Sequence, residues 1–176
     1  MLTVGQKDVS SALSALNIVP VTISYEKEPC DIEKAQEVYI SGRGEYVKGP
    51  NEDIMSILSG ITGNKGRINF AFGTPLNDFI EALAVKVYHT NEFVEKVVEE
   101  IDRQVYTDYK LWPNNYIAYD LLHRSDDYRN QYTEKEKQSF YEDMMQKTGA
   151  LEQLDSVELT RIFLQMYANP VLNSKS

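Results

Sequence analysis

The sequence predicts an α/β fold class: a small, incomplete sheet with flanking helices, followed by a mainly helical C-terminal extension. Three observations carry that expectation. Ile18-Val19-Pro20-Val21-Thr22-Ile23-Ser24-Tyr25 is rich in β-branched residues and reads as a strand. Gly63-Asn64-Lys65-Gly66-Arg67 is turn chemistry, and it leads into a second strand at roughly 68–73. Beyond Pro75 the apolar spacing changes from a period of two to a helical period. The expected boundaries are 1–78 for the α/β part and 79–176 for the helical extension.

The elements follow from local chemistry. Val9, Ala12, Leu13 and Leu16 share one helical face, and Asn17 is a natural stop. Pro20 places the first strand at an edge, an end or a bulge, because proline cannot donate to a ladder. Pro29-Cys30-Asp31 is a turn, with Asp31 expected to cap a helix through Ile32, Ala35 and Tyr39. Residues 41–50 hold three glycines and form a loop. Asn51 then starts a helix whose face is Ile54, Ile57, Leu58 and Ile61.

In the second part, Ile80, Leu83 and Val87 make one stripe, and Val94, Val97, Val98, Ile101 and Val105 make another, separated at His89-Thr90-Asn91. Pro113 sits at the first position of a helix, where its missing N–H costs nothing. Thr133-Glu134-Lys135-Glu136 is a capping box ahead of Phe140, Met144 and Met145, with Gly149 as the C-cap. Asp155 begins a last helix carrying Leu159, Ile162, Phe163 and Met166, which Asn169-Pro170 is expected to end. Two strands alone make a marginal sheet, so they call for partners from elsewhere.

Bulk composition narrows the function. The 176 residues are 42% hydrophobic and 26% charged, enough for a core and ordinary for a globular chain. A net charge of -9 disfavours nucleic acid and anionic surfaces as general partners. One cysteine excludes a disulfide framework within the chain. No run approaches the ~20 apolar residues of a membrane span, and the first residues lack a signal-peptide pattern. The expected location is the cytoplasm, with contact at the inner face of the membrane left open.

Chemistry-bearing residues are few. His123 has Asp127 four residues on, a spacing that on a helix would share one face and let a carboxylate orient an imidazole. No nucleophile motif accompanies the pair, and a surface pair at helical spacing is the plainer reading. Cys30 reads as a packed turn residue, having no neighbouring histidine to lower its pKa. Lys65 and Arg67, in the glycine turn, are a candidate contact for an anionic head group, against the plainer reading of exposed charges on a turn. It is not a P-loop, since the spacing and Lys-Ser/Thr ending are absent. No cluster suggests a metal. Tyr106, Tyr109, Trp112, Tyr116 and Tyr119 suit either an interface or a half-buried helix, the latter being favoured.

Val19-Pro20-Val21 resembles the fourth sequence block of glycerolipid acyltransferases of the lysophosphatidate acyltransferase-like family. Phe72-Gly73-Thr74-Pro75-Leu76 is similar to the strand and Gly-x-Pro turn that close that family's core. Ile23-Ser24-Tyr25-Glu26, Pro29-Cys30-Asp31, Gly60-Ile61 and Lys65-Gly66-Arg67 resemble a bacterial subfamily of 1-acylglycerol-3-phosphate acyltransferases, as does the tail Tyr109-Lys110-Leu111-Trp112-Pro113-Asn114-Asn115-Tyr116-Ile117-Ala118-Tyr119-Asp120-Leu121-Leu122. The resemblance implies acyl transfer from acyl-CoA or acyl-carrier protein to a glycerol-phosphate hydroxyl, with no further cofactor. It implies that Val19, Pro20 and Val21 wall a substrate site.

The family's catalytic His-x-x-x-x-Asp lies upstream of this strand, and only seventeen residues precede Ile18 here. Five residues after His123 stands Tyr128, and five after His89 stands Val94, so neither fits that motif. The arginine block that grips glycerol phosphate and the Glu-Gly block are also missing. The expectation is therefore the C-terminal part of such an enzyme, inactive alone. Its partner would be a missing N-terminal catalytic half or a second copy of itself, with a membrane surface as a further partner. The competing expectation is a non-catalytic module that docks protein or membrane. An unrelated hydrolase built on His123 and Asp127 is the third.

Overall fold

The computed structural model describes residues 8–86 and 89–174. It is mixed α/β and mostly helical. The elements run α1 (Val9–Leu16), β1 (Val21–Tyr25), α2 (Asp31–Ser41), α3 (Glu52–Thr62), β2 (Ile68–Phe72), α4 (Asn77–Ala84), α5 (Thr90–Asp108), α6 (Pro113–His123), a 3-10 turn (Arg129–Gln131), α7 (Glu134–Gly149) and α8 (Ser156–Asn173). Residues group into two compact units. One takes the described residues through Ser24 with Asn69–Lys110; the other takes Tyr25–Ile68 and the described residues from Leu111 on. Both units thus draw on the strand region and on the helical region.

In the first unit, β1 and β2 pair as a two-stranded sheet among the described residues. The Gly73 N–H donates to the Pro20 carbonyl at 2.9 Å, and the Glu26 N–H donates to the Arg67 carbonyl at 2.9 Å, so the strands are antiparallel. Pro20 ends the ladder, since it can accept from Gly73 and cannot donate back. The core of this unit gathers Leu13, Leu76, Ile80, Leu83, Phe93 and Val97. Asp8 caps α1 by accepting from the Ser11 N–H at 2.8 Å, and Asn17 closes it in the left-handed region at φ 49°. Ile80 and Leu83 are buried as their spacing predicts; Val87 lies outside the described residues.

The second unit is a helix cluster. Its core joins Ile117 and Ala118 of α6, Phe140 and Met144 of α7, and Leu159, Phe163, Tyr167 and Ala168 of α8, with Ala35 of α2. Phe140, Phe163 and Tyr167 stack at 5.2–6.1 Å between ring centroids. The Thr133 capping box forms as predicted: Thr133 Oγ1 accepts from the Glu136 N–H, and Glu136 accepts from the Thr133 N–H. Asp155 caps α8.

Four local expectations are corrected. Asp31 is not a cap: Cys30 precedes the helix, and Asp31 is its first residue, fully buried. Gly149 belongs to α7, with Ala150 at the C-cap. Asn169-Pro170 does not end α8, which continues to Asn173 with Pro170 inside it. Ala168 and Val171 are buried on either side of Pro170, and that packing holds the last turn against the cost of a proline. On α5 the buried residues are Phe93, Val97 and Gln104, while Val94 and Val98 are exposed. Of the apolar stripe predicted there, Val97 and Ile101 join the core as expected, while Val94 and Val98 lie off the face the fold buries.

Candidate functional site

The strand residues Val19, Pro20 and Val21 are held from one side. The Leu76 N–H donates to the Ile18 carbonyl at 2.9 Å, beside the Gly73–Pro20 bond. The chain leaving β2 is fixed by Gln104, whose Oε1 accepts from the Thr74 N–H at 2.8 Å. A side chain at Gly73 would run into that carboxamide and displace Gln104 from its bond to Thr74. Gln104 is buried and donates in turn to Glu100 at 2.9 Å. Glu100 also receives Arg103; those two donors hold its carboxyl down to about 2. Gln104 was invisible to apolar periodicity because it is polar on a buried helix face.

The sheet is inside out. Thr22 and Ser24 of β1 are buried, and the Ser24 hydroxyl has no hydrogen-bond partner among the described residues. Val19, Val21 and Ile23 face solvent, and on β2 Phe70 is 58% and Phe72 74% exposed. Full burial of such a side chain contributes ~1.5–3 kcal/mol, and these five, being 38% to 74% exposed, leave on the order of 5 kcal/mol of it unrealised.

In the second unit, both turn cations are engaged internally. Lys65 donates to the Ile61 and Gly63 carbonyls, each at 3.1 Å, which satisfies the end of α3. Arg67 clasps Glu26 with two bonds of 3.1 and 2.8 Å, lies 3.8 Å from Glu136 and stacks over the Trp112 ring at 5.0 Å. Arg67 holds the Glu26 carboxyl below the usual range against the opposing effect of burial. An anion arriving at Arg67 has to compete with Glu26.

His123 is the last residue of α6, and Arg124 leaves the helix in the left-handed conformation at φ 52°. Asp127 therefore lies in the following turn, and the expected shared helical face does not exist. The His123 ring packs on Tyr119 at 4.3 Å instead. His89 is the N-cap residue of α5 and makes no side-chain cap bond. Cys30 is buried, with its thiol 3.6 Å from the Ser56 carbonyl. It borders a cleft of about 340 Å³ between α2, the 42–51 loop and α3, together with Glu33, Glu37, Tyr46, Lys48 and Asp53. Tyr116 and Tyr119 are half-buried on the helix core and meet Tyr128, each at 5.1 Å. No group of three or more His, Cys, Asp or Glu among the described residues could hold a metal ion.

Two buried carboxylates were not anticipated. Asp31 accepts from Lys147 at 2.8 Å and from the Tyr167 hydroxyl at 2.9 Å, and Tyr167 accepts from the Glu28 N–H at 2.9 Å. Burial and the Asp31 charge push the Tyr167 phenol far above its ordinary value. Burial alone would lower the Lys147 pKa, but its bonds to Asp31 and Asp143 outweigh that and raise it. Asp120 accepts from Ser125 at 2.9 Å, from the Tyr128 N–H and from the Tyr132 hydroxyl at 2.8 Å. Burial, then this bond, push Tyr132 up to about 12. Every carboxylate in these clusters is saturated by fixed donors, so they tie helices together.

Comparison with models of known protein families, with curated proteins and with solved structures found no match. Among the described residues, no helix is long and apolar enough to cross a membrane.

Proposed function

We propose that the chain is the C-terminal part of a glycerolipid acyltransferase of the lysophosphatidate acyltransferase-like type, and that it supplies a wall of the acyl-transfer site without the proton-transferring dyad. The observation that carries the proposal is the inside-out sheet: Val19, Val21, Ile23, Phe70 and Phe72 form an apolar face that a catalytic half would cover. The ordered sequence blocks around it support the same reading. In the whole enzyme a histidine on the other half would take the proton of the glycerol-phosphate hydroxyl, and its aspartate would hold the imidazole tautomer. Val19 and Val21 would exclude water beside the acyl chain.

The test is direct. Residues 1–176, given acyl-CoA or acyl-carrier protein with glycerol 3-phosphate or its 1-acyl ester, should show no turnover. An in-frame His-x-x-x-x-Asp in the coding DNA upstream of Met1 should exist, and the half that carries it should restore transfer when combined with this chain. Replacing Phe70 with Ser should weaken that complementation. Turnover by the chain alone, surviving loss of His89 and His123, would overturn the reading. A module that only docks protein or membrane makes a different prediction: a stable complex forms, and no combination yields acyl transfer.

A further inference from the structure

The ladder between β1 and β2 fixes which way each backbone group points. The bond from the Gly73 N–H to the Pro20 carbonyl sets the register, which pairs Thr22 with Ala71 and Ser24 with Asn69. Bonded and outward-facing residues alternate along an antiparallel strand. Thr22 and Ser24 therefore turn their N–H and C=O groups toward β2, while Val21 and Ile23 turn theirs away. Nothing among the described residues meets them, since β1 has no strand on its other side and no further backbone bond reaches Val21 or Ile23.

A row of alternating donors and acceptors is matched by one kind of partner, another extended backbone. That sets this edge apart from the bare apolar face of α3. Ile54, Ile57, Leu58 and Ile61 are between 49% and 72% exposed, but a helix spends its backbone bonds on itself. The α3 face offers side chains only and specifies no occupant.

Burial selects β1 over β2, whose outer edge is also open. On the inner side of the sheet Thr22 and Ser24 of β1 are fully buried, whereas Asn69 and Ala71 of β2 are only half-buried. A strand beside β1 lies along the covered flank, and one beside β2 lies beyond it. Edges are ordinarily blunted by charge, proline or a bulge. Val21–Tyr25 carries no charge and no proline. The register runs unbroken from Pro20–Gly73 to Glu26–Arg67, which leaves no room for a bulge.

We infer that the outer edge of β1 accepts an antiparallel strand from another polypeptide, bonded to the backbone of Val21 and Ile23. Its composition follows from the register. Residues bonded to Val21 and Ile23 share their exposed side and are apolar; the residues between them share the buried side of Thr22 and Ser24 and are small and polar. This goes beyond the acyltransferase reading and does not rest on it.

The probe is a short synthetic peptide of alternating valine and threonine, blocked at both ends. It is titrated into the full, isotope-labelled chain and read by amide NMR and hydrogen exchange. In the free chain the Val21 and Ile23 amides should exchange fast and those of Thr22 and Ser24 slowly. The peptide should slow Val21 and Ile23 at least tenfold. Its dissociation constant should be on the order of 1 mM, because so short a strand gives up its chain freedom for few bonds. Methylating the valine nitrogens of the peptide should weaken binding at least tenfold, and methylating the threonine nitrogens, which face away, should not. Ile23→Pro removes one outward N–H at a position where an open edge tolerates proline, and should also weaken binding at least tenfold. Phe72→Ser should leave binding unchanged, and circular dichroism establishes that each variant is folded. Four results would overturn the inference: Val21 and Ile23 amides already protected in the free chain, no response to the peptide, a response at Phe70 and Phe72 instead, or binding indifferent to valine methylation.

Discussion

The helix cluster of α6, α7 and α8 and the β1–β2 sheet obey opposite rules. In the cluster, Phe163, Leu159 and Ile117 are buried, and Asp31 and Asp120 are each saturated by donors. In the sheet, serine and threonine are inside while valine, isoleucine and phenylalanine are outside. Helix α3 follows the sheet's rule. The contrast separates a region that buries its apolar residues within the chain from regions that leave theirs exposed.

The largest test of this contrast is in the cluster. Phe163→Ala should destabilise the chain by about 3–5 kcal/mol, as core aromatic truncations do. Asp31→Ala should cost a smaller ~1–3 kcal/mol, because it leaves the buried Tyr167 hydroxyl without its acceptor while Lys147 keeps Asp143. Urea unfolding measures both. A cost below ~1 kcal/mol for either would mean that the cluster is no more tightly built than the sheet.

A pH titration is next in size. The Tyr132 hydroxyl is raised to about 12 in the fold from an ordinary value of 10. A group raised in the folded state adds stability that is full below the unfolded value and is lost as pH climbs through the folded one. Stability should therefore fall between pH 10 and about 12. Tyr132→Phe should cost about 1.5–3 kcal/mol at neutral pH, the range for a hydrogen bond to a charged group. It should also flatten that alkaline fall, read by unfolding at a series of pH values.

Smaller effects are expected at the surface. Arg67→Ala breaks the Glu26 clasp, but Arg67 is more than half exposed and screened, so the cost should stay under ~1 kcal/mol. Phe70→Ser on the open sheet face should change stability by no more than ~0.5 kcal/mol while raising solubility. A loss of 2 kcal/mol or more at Phe70 would show that the face is packed in the isolated chain, and the contrast would fail.

Much of the fold was legible in the sequence because its signals are local. The Thr133 capping box, Asp155, Pro113 at the start of α6 and the stop at Asn17 depend on a few neighbouring backbone groups. What failed depends on distant partners. Pro170 continues a helix because Ala168 and Val171 are packed. Asp31 is a buried anchor because Lys147 and Tyr167 lie 116 and 136 residues away. The His123–Asp127 spacing lost its meaning when α6 ended at His123.

The sequence alone determined which segments are strands and helices, where most of them begin, and which residues are apolar enough to pack. It could not determine which way an amphipathic face points. Alternation in β1 and the 54–57–58–61 stripe in α3 are the same whether the apolar side is buried or bare. Only the tertiary structure decided that both point outward, because direction is set by which neighbours a segment meets, and those neighbours are far away in sequence.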